Sequence, residues 1–322
     1  MYPVIRIGPF QLPSYGVMVF LGAVCYVAFL VLVLRRVEKK SADVVKKTLI
    51  VSGISFIFMF LGALFFNSLF YSVKSGYLII GGITWEGGVI VGFSAFLVLT
   101  HLLVGRARGR EIELFSLVMP GLVLAHGLGR VGCFLGGCCY GYITEGPFGV
   151  VFPSGSAAAQ AYPNTLTGVG SFPLLPTQLF EVAFEVLLFL VMVLFYKRLR
   201  DKNLWIYLVF YGVFRFALEF WRGDDRGATG FFLSPSQLMS ILLVAAGVLF
   251  VLFQHGLVFR SLSARMCAWR AAADAGAYDT PEMPVERRMA YAELRALYKL
   301  KRKGVITAEE YEEKKRELLN LK

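Results

Sequence analysis

Arg130 is isolated in the sequence. No other lysine or arginine occurs between it and Lys197, and residues 127–149 read GLGRVGCFLGGCCYGYITEGPFG, with glycine at 127, 129, 132, 136, 137, 141, 146 and 149. An apolar run, Ile112–Ala125, precedes it. A lone guanidinium at the end of an apolar helix needs a counter-charge, and its planar fork of five donors suits a phosphate. Glycine lets backbone come close to a ligand or to another helix. These residues predict a phosphate-recognising site at the edge of a membrane.

Other charges stand where lipid is expected. Tyr211, Arg215, Glu219 and Arg222 are spaced by four, four and three residues, which predicts one helical face. An ionisable residue inside a membrane span costs about 2.5–3.5 kcal/mol or more, so it faces the protein interior or a wet cavity. Two readings of Arg215 stay open: an internal pair with Glu219, or an anion shared with Arg130. Glu181 and Glu185, again four apart, follow Pro176-Thr177-Gln178. They serve either a helix N-terminus, which favours carboxylates, or an arginine that Glu181 orients. Glu86 lies in a glycine-flanked turn, as a solvated carboxylate or a general base. His101 and His126 have no partners at metal-ligand spacing and read as helix-packing residues. Cys133, Cys138 and Cys139 do not have zinc-ribbon spacing. They read as small buried thiols or as a disulfide from Cys133 to one of the pair, and no metal is expected.

The elements that must carry these residues are membrane helices. Of 322 residues, 57% are hydrophobic and 17% charged, against about 25% charged in soluble domains. Apolar runs of the ~20 residues that cross a bilayer core as helix occur at about Tyr15–Leu34, Thr48–Tyr71, Gly87–Val104, Ile112–Leu128, Thr177–Tyr196, Leu204–Phe220 and Pro235–Phe253. The fold class is therefore an all-α integral membrane protein of about seven spans with an irregular outer-face segment, Val131–Pro176. The first run has no cleavable-signal pattern and reads as a signal anchor; Met1–Pro13 before it is turn-rich. Basic clusters follow spans one, three, five and seven, which places the N-terminus outside and the C-terminus in the cytoplasm. The net charge of +11 has the same origin, so no nucleic-acid partner is expected.

Beyond the spans the composition changes. Arg260–Ala273 is basic and alanine-rich, Asp274–Val285 reads as a linker, and Tyr291–Leu300 and Thr307–Leu321 read as two short amphipathic helices. Gly304 suits a stop for the first, and Thr307 with Glu310 a capping box for the second. The domains are a transmembrane domain at 1–256, a basic segment and linker at 257–285, and a cytoplasmic helical hairpin at 286–322.

The stretch GRVGCFLGGCCYG resembles the signature of the prolipoprotein diacylglyceryl transferase family. IGPFQLPSYG, GGITWEGGVI, PTQLFE and YGVFRFALEFWRGD resemble further family blocks in the same order, over roughly residues 3–253. The tail, LRALYKLKRKGVITAEEYEEKKRELL, resembles a short C-terminal hairpin module appended to many bacterial proteins. The resemblance implies a multi-pass enzyme of the bacterial inner membrane. It would move the diacylglyceryl group of phosphatidylglycerol to the lipobox cysteine of a prolipoprotein, leaving a thioether and glycerol phosphate. Its partners would be phosphatidylglycerol, the prolipoprotein signal peptide and membrane lipids, without a cofactor.

By the same resemblance Arg130 and Arg215 match essential arginines, and Tyr15, Gly141, Tyr211 and Glu219 match functional positions. Glu86, in the slot where much of the family has His, is the expected base; Cys133 stands where Asn is usual and Cys138 where Glu is frequent. Leu175 replaces a usual His before PTQLFE. A cysteine-rich signature marks a divergent branch. Glu181 and Cys133 complete the expected substrate-binding set. Two alternatives stay open: a diverged transferase acting on another nucleophile, and an anionic-lipid transporter using the same arginines.

Overall fold

The computed structural model describes residues 4–8, 10–104, 111–225, 227–229, 232–254, 293–294, 297, 301 and 307–319. The chain divides into two compact units, Met1–Met266 and Cys267–Lys322. The first opens with an antiparallel hairpin of β1 (Val4–Ile7) and β2 (Phe10–Pro13), in which Val4 faces Pro13. The turn-rich start therefore has ladder structure: Gly8, at φ 59°, supplies the left-handed residue the reversal needs.

The helices follow as α1 (Ser14–Leu32, continued by a π turn, Val33–Val37), α2 (Ala42–Ser75), α3 (Trp85–Leu103), α4 (Glu111–Gly136), α5 (Ala157–Ala161), α6 (Thr177–Leu194), α7 (Tyr196–Leu199), α8 (Asn203–Leu218) and α9 (Pro235–Gln254). Among the described residues six helices are long and apolar enough to cross a membrane, and the apolar stretch Gly87–Leu103 of α3 is shorter. Phe20, Phe58, Phe65, Leu187, Leu194 and Phe210 are exposed on these helices, which in water would be costly and in hydrocarbon is not.

Helix α4 is the centre. Two-thirds of its apolar window is buried, against about a third for α1, α2, α6 and α9, and it packs against α1, α6 and α8. It contains Pro120, whose missing N–H frees the carbonyl of Ser116. That carbonyl accepts from Asn203 Nδ2 at 3.2 Å, and Ser116 Oγ accepts from the N–H of Leu204 at 3.2 Å. The interruption in α4 thus satisfies the start of α8, as buried backbone in a membrane requires.

Helix α4 also runs past Arg130 to Gly136, so Arg130 lies within the helix and not at its end. The segment after it is held by its own small core of Tyr140, Phe152, Ala158 and Leu174 and by isolated bridges, Ile143 to Leu174 and Val150 to Leu174 among them. In the second unit, Ala308–Leu319 is helical and the capping box is formed: the N–H of Thr307 donates to Glu310 Oε2 at 2.7 Å and the N–H of Glu310 to Thr307 Oγ1 at 3.2 Å. Glu293, Leu294 and Leu297 are helical. The remainder of the first tail helix, Gly304, the basic segment and its linker, Cys267 and the basic cluster after span three lie outside the described residues.

Candidate active site

Three helices bring one polar residue set into an apolar interior. His126 and Arg130 sit four apart on α4; Gln178, Glu181 and Glu185 occupy one face of α6; Tyr207, Tyr211 and Arg215 occupy one face of α8. All are buried. A charge so placed must be paired, and Arg130 is: its Nε lies 3.0 Å from Glu181 Oε2. Glu181 Oε1 accepts from the hydroxyl of Tyr211 at 2.9 Å. Glu181 does orient an arginine, and that arginine is Arg130.

His126 is more than a packing residue, contrary to its reading in the sequence. Its Nδ1 stands 2.7 Å from Glu185 Oε1, and its Nε2 accepts from Arg130 Nε at 3.3 Å. The ring stacks on Trp85 at 3.9 Å and 8°, with the edge of Tyr211 at 5.2 Å. Trp85 Nε1 in turn donates to the hydroxyl of Tyr207 at 3.0 Å. A signal for this was present: one i, i+4 pair of bases on α4 and one of acids on α6.

The Nε edge of Arg130 is therefore fixed. Its Nη edge makes one hydrogen bond among the described residues, from Nη1 to Cys139 Sγ at 3.9 Å, and a sulfur is a weak acceptor.

Arg215 is fully buried and held differently. Nη1 donates to Glu219 Oε2 at 2.7 Å and Nη2 to Ser236 Oγ at 2.7 Å, while Glu219 Oε1 accepts from Ser234 Oγ at 2.8 Å. The internal pair with Glu219 is present, and it ties α8 to the start of α9. Tyr211, one turn before Arg215, connects to Arg130 through Glu181. Arg222 leaves the face it was expected to share: α8 ends at Leu218, a 3-10 turn follows, and Arg222 is extended at φ −78°, ψ 135°. It is buried, and Nε and Nη2 each donate to Asp224 at 2.8 Å. Burial opposes its charge, but Asp224 and Cys139 outweigh that and raise its pKa. Burial also pushes Asp224 up to about 6, against the pull of Arg222.

Gly141 joins these pieces. It pairs with Arg222, its N–H donates to Leu175 O at 2.9 Å, and Tyr142 N–H donates to Trp221 O at 3.1 Å. A Cβ on Gly141 would stand 2.6 Å from the carbonyl oxygen of Trp221 and 2.8 Å from Leu175 Cβ. Tyr15, on α1, is partly exposed, and its Cα would lie 3.2 Å from a Cβ on Gly132 of α4. The backbone of Glu86 is in the first turn of α3, which starts at Trp85, and not in a loop; its side chain lies outside the described residues. His101 of α3 pairs with Glu111 at 2.8 Å, away from this set.

The three cysteines are free thiols whose sulfurs all lie within 4.8 Å of one another. Cys133 is in the last turn of α4; Cys138 and Cys139 follow it, with Cys139 at φ 63°. Hydrogen bonds from Cys133 and Cys138 hold the Cys139 thiol well below its ordinary range, with help from Arg222 and Arg130 against burial.

A helical membrane scaffold with buried arginines, one held by a carboxylate from a neighbouring helix and two by carboxylates close in the chain, is the frame of a site for an anionic lipid headgroup. The comparisons agree with that class and narrow it. A family model described as prolipoprotein diacylglyceryl transferase matches residues 3–253, and one described as short C-terminal domain matches residues 292–319. The chain belongs to the prolipoprotein diacylglyceryl transferase family and is a multi-pass membrane protein. It is 38% identical over 164 residues to phosphatidylglycerol–prolipoprotein diacylglyceryl transferase 2 of Clostridium perfringens, covering 50% of this chain and 59% of that one. A Clostridium tetani protein named as a transferase of the same kind is 34% identical, covering 50% of this chain and 60% of its own length. The match therefore spans about three-fifths of these two relatives. One from Dehalococcoides mccartyi, similarly named, is 30% identical over 258 residues, covering 77% of this chain and 92% of its own.

Proposed function

We propose that this chain transfers the diacylglyceryl group of phosphatidylglycerol to the lipobox cysteine of a prolipoprotein. The observation that carries the reading, besides family membership, is the posture of Arg130. Its Nε edge is fixed by Glu181 and His126, and the hydrogen bond its Nη edge makes among the described residues goes to a thiol. A guanidinium so held is ready for phosphate oxygens without reorganisation.

In the reaction the bond between the glyceryl carbon and the phosphate oxygen breaks, and a carbon–sulfur bond forms. The leaving glycerol phosphate keeps the electron pair, and the thiol proton passes to a base. Arg130 and Arg215 hold the phosphate and stabilise the charge that develops on it, most strongly where water is excluded. A thiol with a pKa of ~8.5 is only a few per cent ionised near neutrality, so a base helps. Glu86 is assigned that role, on the first turn of α3. Tyr15 and Tyr211 orient the headgroup, Glu181 and Glu219 hold the two arginines, Gly141 keeps the backbone close, and Cys133 borders the headgroup. No cofactor is assigned.

The same reading places seven spans in the bacterial inner membrane, with the N-terminus outside and the C-terminus in the cytoplasm. The basic clusters after alternate spans support this. The proposed domains are the transferase at 1–256, a basic segment and linker at 257–285 and a cytoplasmic hairpin at 286–322.

The test is incubation of the purified protein with acyl-labelled phosphatidylglycerol and a lipobox peptide. Label joined to the peptide cysteine as a thioether supports transfer. Label moving between leaflets with no labelled peptide would make the protein a transporter. Label on another acceptor would make it a diverged transferase. Either of these results overturns the proposal.

A further inference from the structure

The transfer reaction uses one thiol as nucleophile, and that one belongs to the substrate; no thiol of the protein's own three-cysteine cluster makes or breaks a bond in it. We propose that Cys133, Cys138 and Cys139 form a binding site for one soft divalent cation, zinc or cadmium, in a three-sulfur coordination completed by a water molecule.

The geometry carries this. The three sulfurs lie within 4.8 Å of one another as free thiols. Zinc–sulfur bonds of about 2.3 Å put the sulfurs of one ion roughly 3.8–4.0 Å apart. Contraction by about 1 Å or less therefore closes the site. Thiolates select soft cations such as these over magnesium or calcium.

The site is also built. Cys133 is buried on a rigid helix. Cys138 and Cys139 follow Gly137, which at φ 70° reverses the chain, and Cys139 itself takes φ 63°. A left-handed cysteine is costly and persists only where its surroundings over-determine it. Here three hydrogen bonds do so. The N–H of Cys138 donates to Cys133 O at 3.1 Å, Gln178 Nε2 to Cys138 O at 2.6 Å, and Thr177 Oγ1 to Cys139 O at 2.8 Å. The first turn of α6 thus clamps both carbonyls, and the pair presents its thiols toward Cys133 in a fixed frame.

The charge balance fits as well. A divalent cation displaces whatever protons the three sulfurs still carry, which are released to solvent, and the resulting trithiolate complex carries one net negative charge. Arg130 Nη1 stands 3.9 Å from Cys139 Sγ. Arg222 is buried, its field reaches Cys139, and its Nη1 has no hydrogen-bond partner among the described residues. These two cations stabilise an anionic metal complex that an apolar surrounding would reject. Because Cys139 is also the contact of the Arg130 Nη edge, a filled site changes what that edge meets. Metal occupancy is thereby coupled to anion binding at Arg130.

The experiment uses the full-length protein in detergent, reduced and stripped of metal by a chelator, and titrates it with cadmium chloride. The expected result is a thiolate-to-cadmium ultraviolet charge-transfer band that saturates at one ion per chain with release of protons. The band is lost in Cys138→Ser and in Cys139→Ser, and kept in Cys25→Ser. X-ray absorption of the zinc-loaded unmodified chain gives three sulfurs at about 2.3 Å, which decides the matter even if a serine variant fails to fold. No band in the unmodified protein, one-to-one binding that survives in the Cys138→Ser/Cys139→Ser double variant, or a zinc shell of nitrogen and oxygen would overturn the proposal. None of these readouts depends on the transfer reaction, so failure here and failure of the proposed activity are separable.

Discussion

The guanidinium of Arg130 on α4 and the carboxylate of Glu181 on α6 meet at 3.0 Å with both side chains buried. Breaking one partner of such a pair leaves an uncompensated buried charge, which costs about 3–5 kcal/mol. Glu181→Gln is therefore expected to lower thermal stability in detergent and to abolish transfer. Arg130→Ala is expected to abolish transfer while the protein still inserts, and Arg130→Lys to do nearly the same, because an ammonium has no Nε edge to share between Glu181 and His126. Full activity in purified Arg130→Ala refutes the assignment.

Arg215 tests the second half of the site. Arg215→Ala is expected to remove transfer. Ser236→Ala removes only the Nη2 contact at 2.7 Å, and a hydrogen bond to a charged group contributes about 1.5–3 kcal/mol. A partial loss of rate is the expected outcome for Ser236→Ala; unchanged rates in both variants would leave Arg215 as an ion pair without a chemical role.

For Glu86→Gln a milder but clear fall in the transfer rate is expected, since general bases contribute on the order of 100-fold or more. An unchanged rate across the pH profile places the base elsewhere.

Gly141→Ala is a steric test. The added methyl would meet backbone oxygen at 2.6 Å, and overpacking of this kind costs about 1–3 kcal/mol. The bridge to Arg222 should open, with a lower melting temperature and reduced transfer. Wild-type stability would show that the segment yields freely.

Asp224 supplies a pH signature. Its folded pKa of about 6 lies above the ordinary value of 3.8, so between these values the folded chain holds the proton more tightly than the unfolded chain does. Its contribution to stability is therefore present at low pH and is lost as pH rises through about 6. The Arg222 ion pair, in contrast, is complete only above that pH. A stability-against-pH curve for Asp224→Asn should lack this decline, and an unaltered curve would remove Asp224 as its source.

Hydropathy placed the helices, because the length of an apolar run sets whether it spans and its ends show where polar chain resumes. Thr307 and Glu310 announced their capping box, a contact confined to four consecutive residues. Helical spacing put Glu181 with Glu185 on one face and Tyr211 with Arg215 on another, while the same spacing of His126 and Arg130 went unread. Periodicity tells which residues share a face but not which helix that face meets. Only the tertiary structure decided that Glu181 turns to Arg130, that His126 lies between Glu185 and Trp85, and that Arg222 leaves its helix to pair with Gly141. It also decided that three thiols separated by a helix end and a turn come together. These contacts depend on how helices pack sideways in lipid, where close fit and buried hydrogen bonds, not hydropathy, select the neighbour.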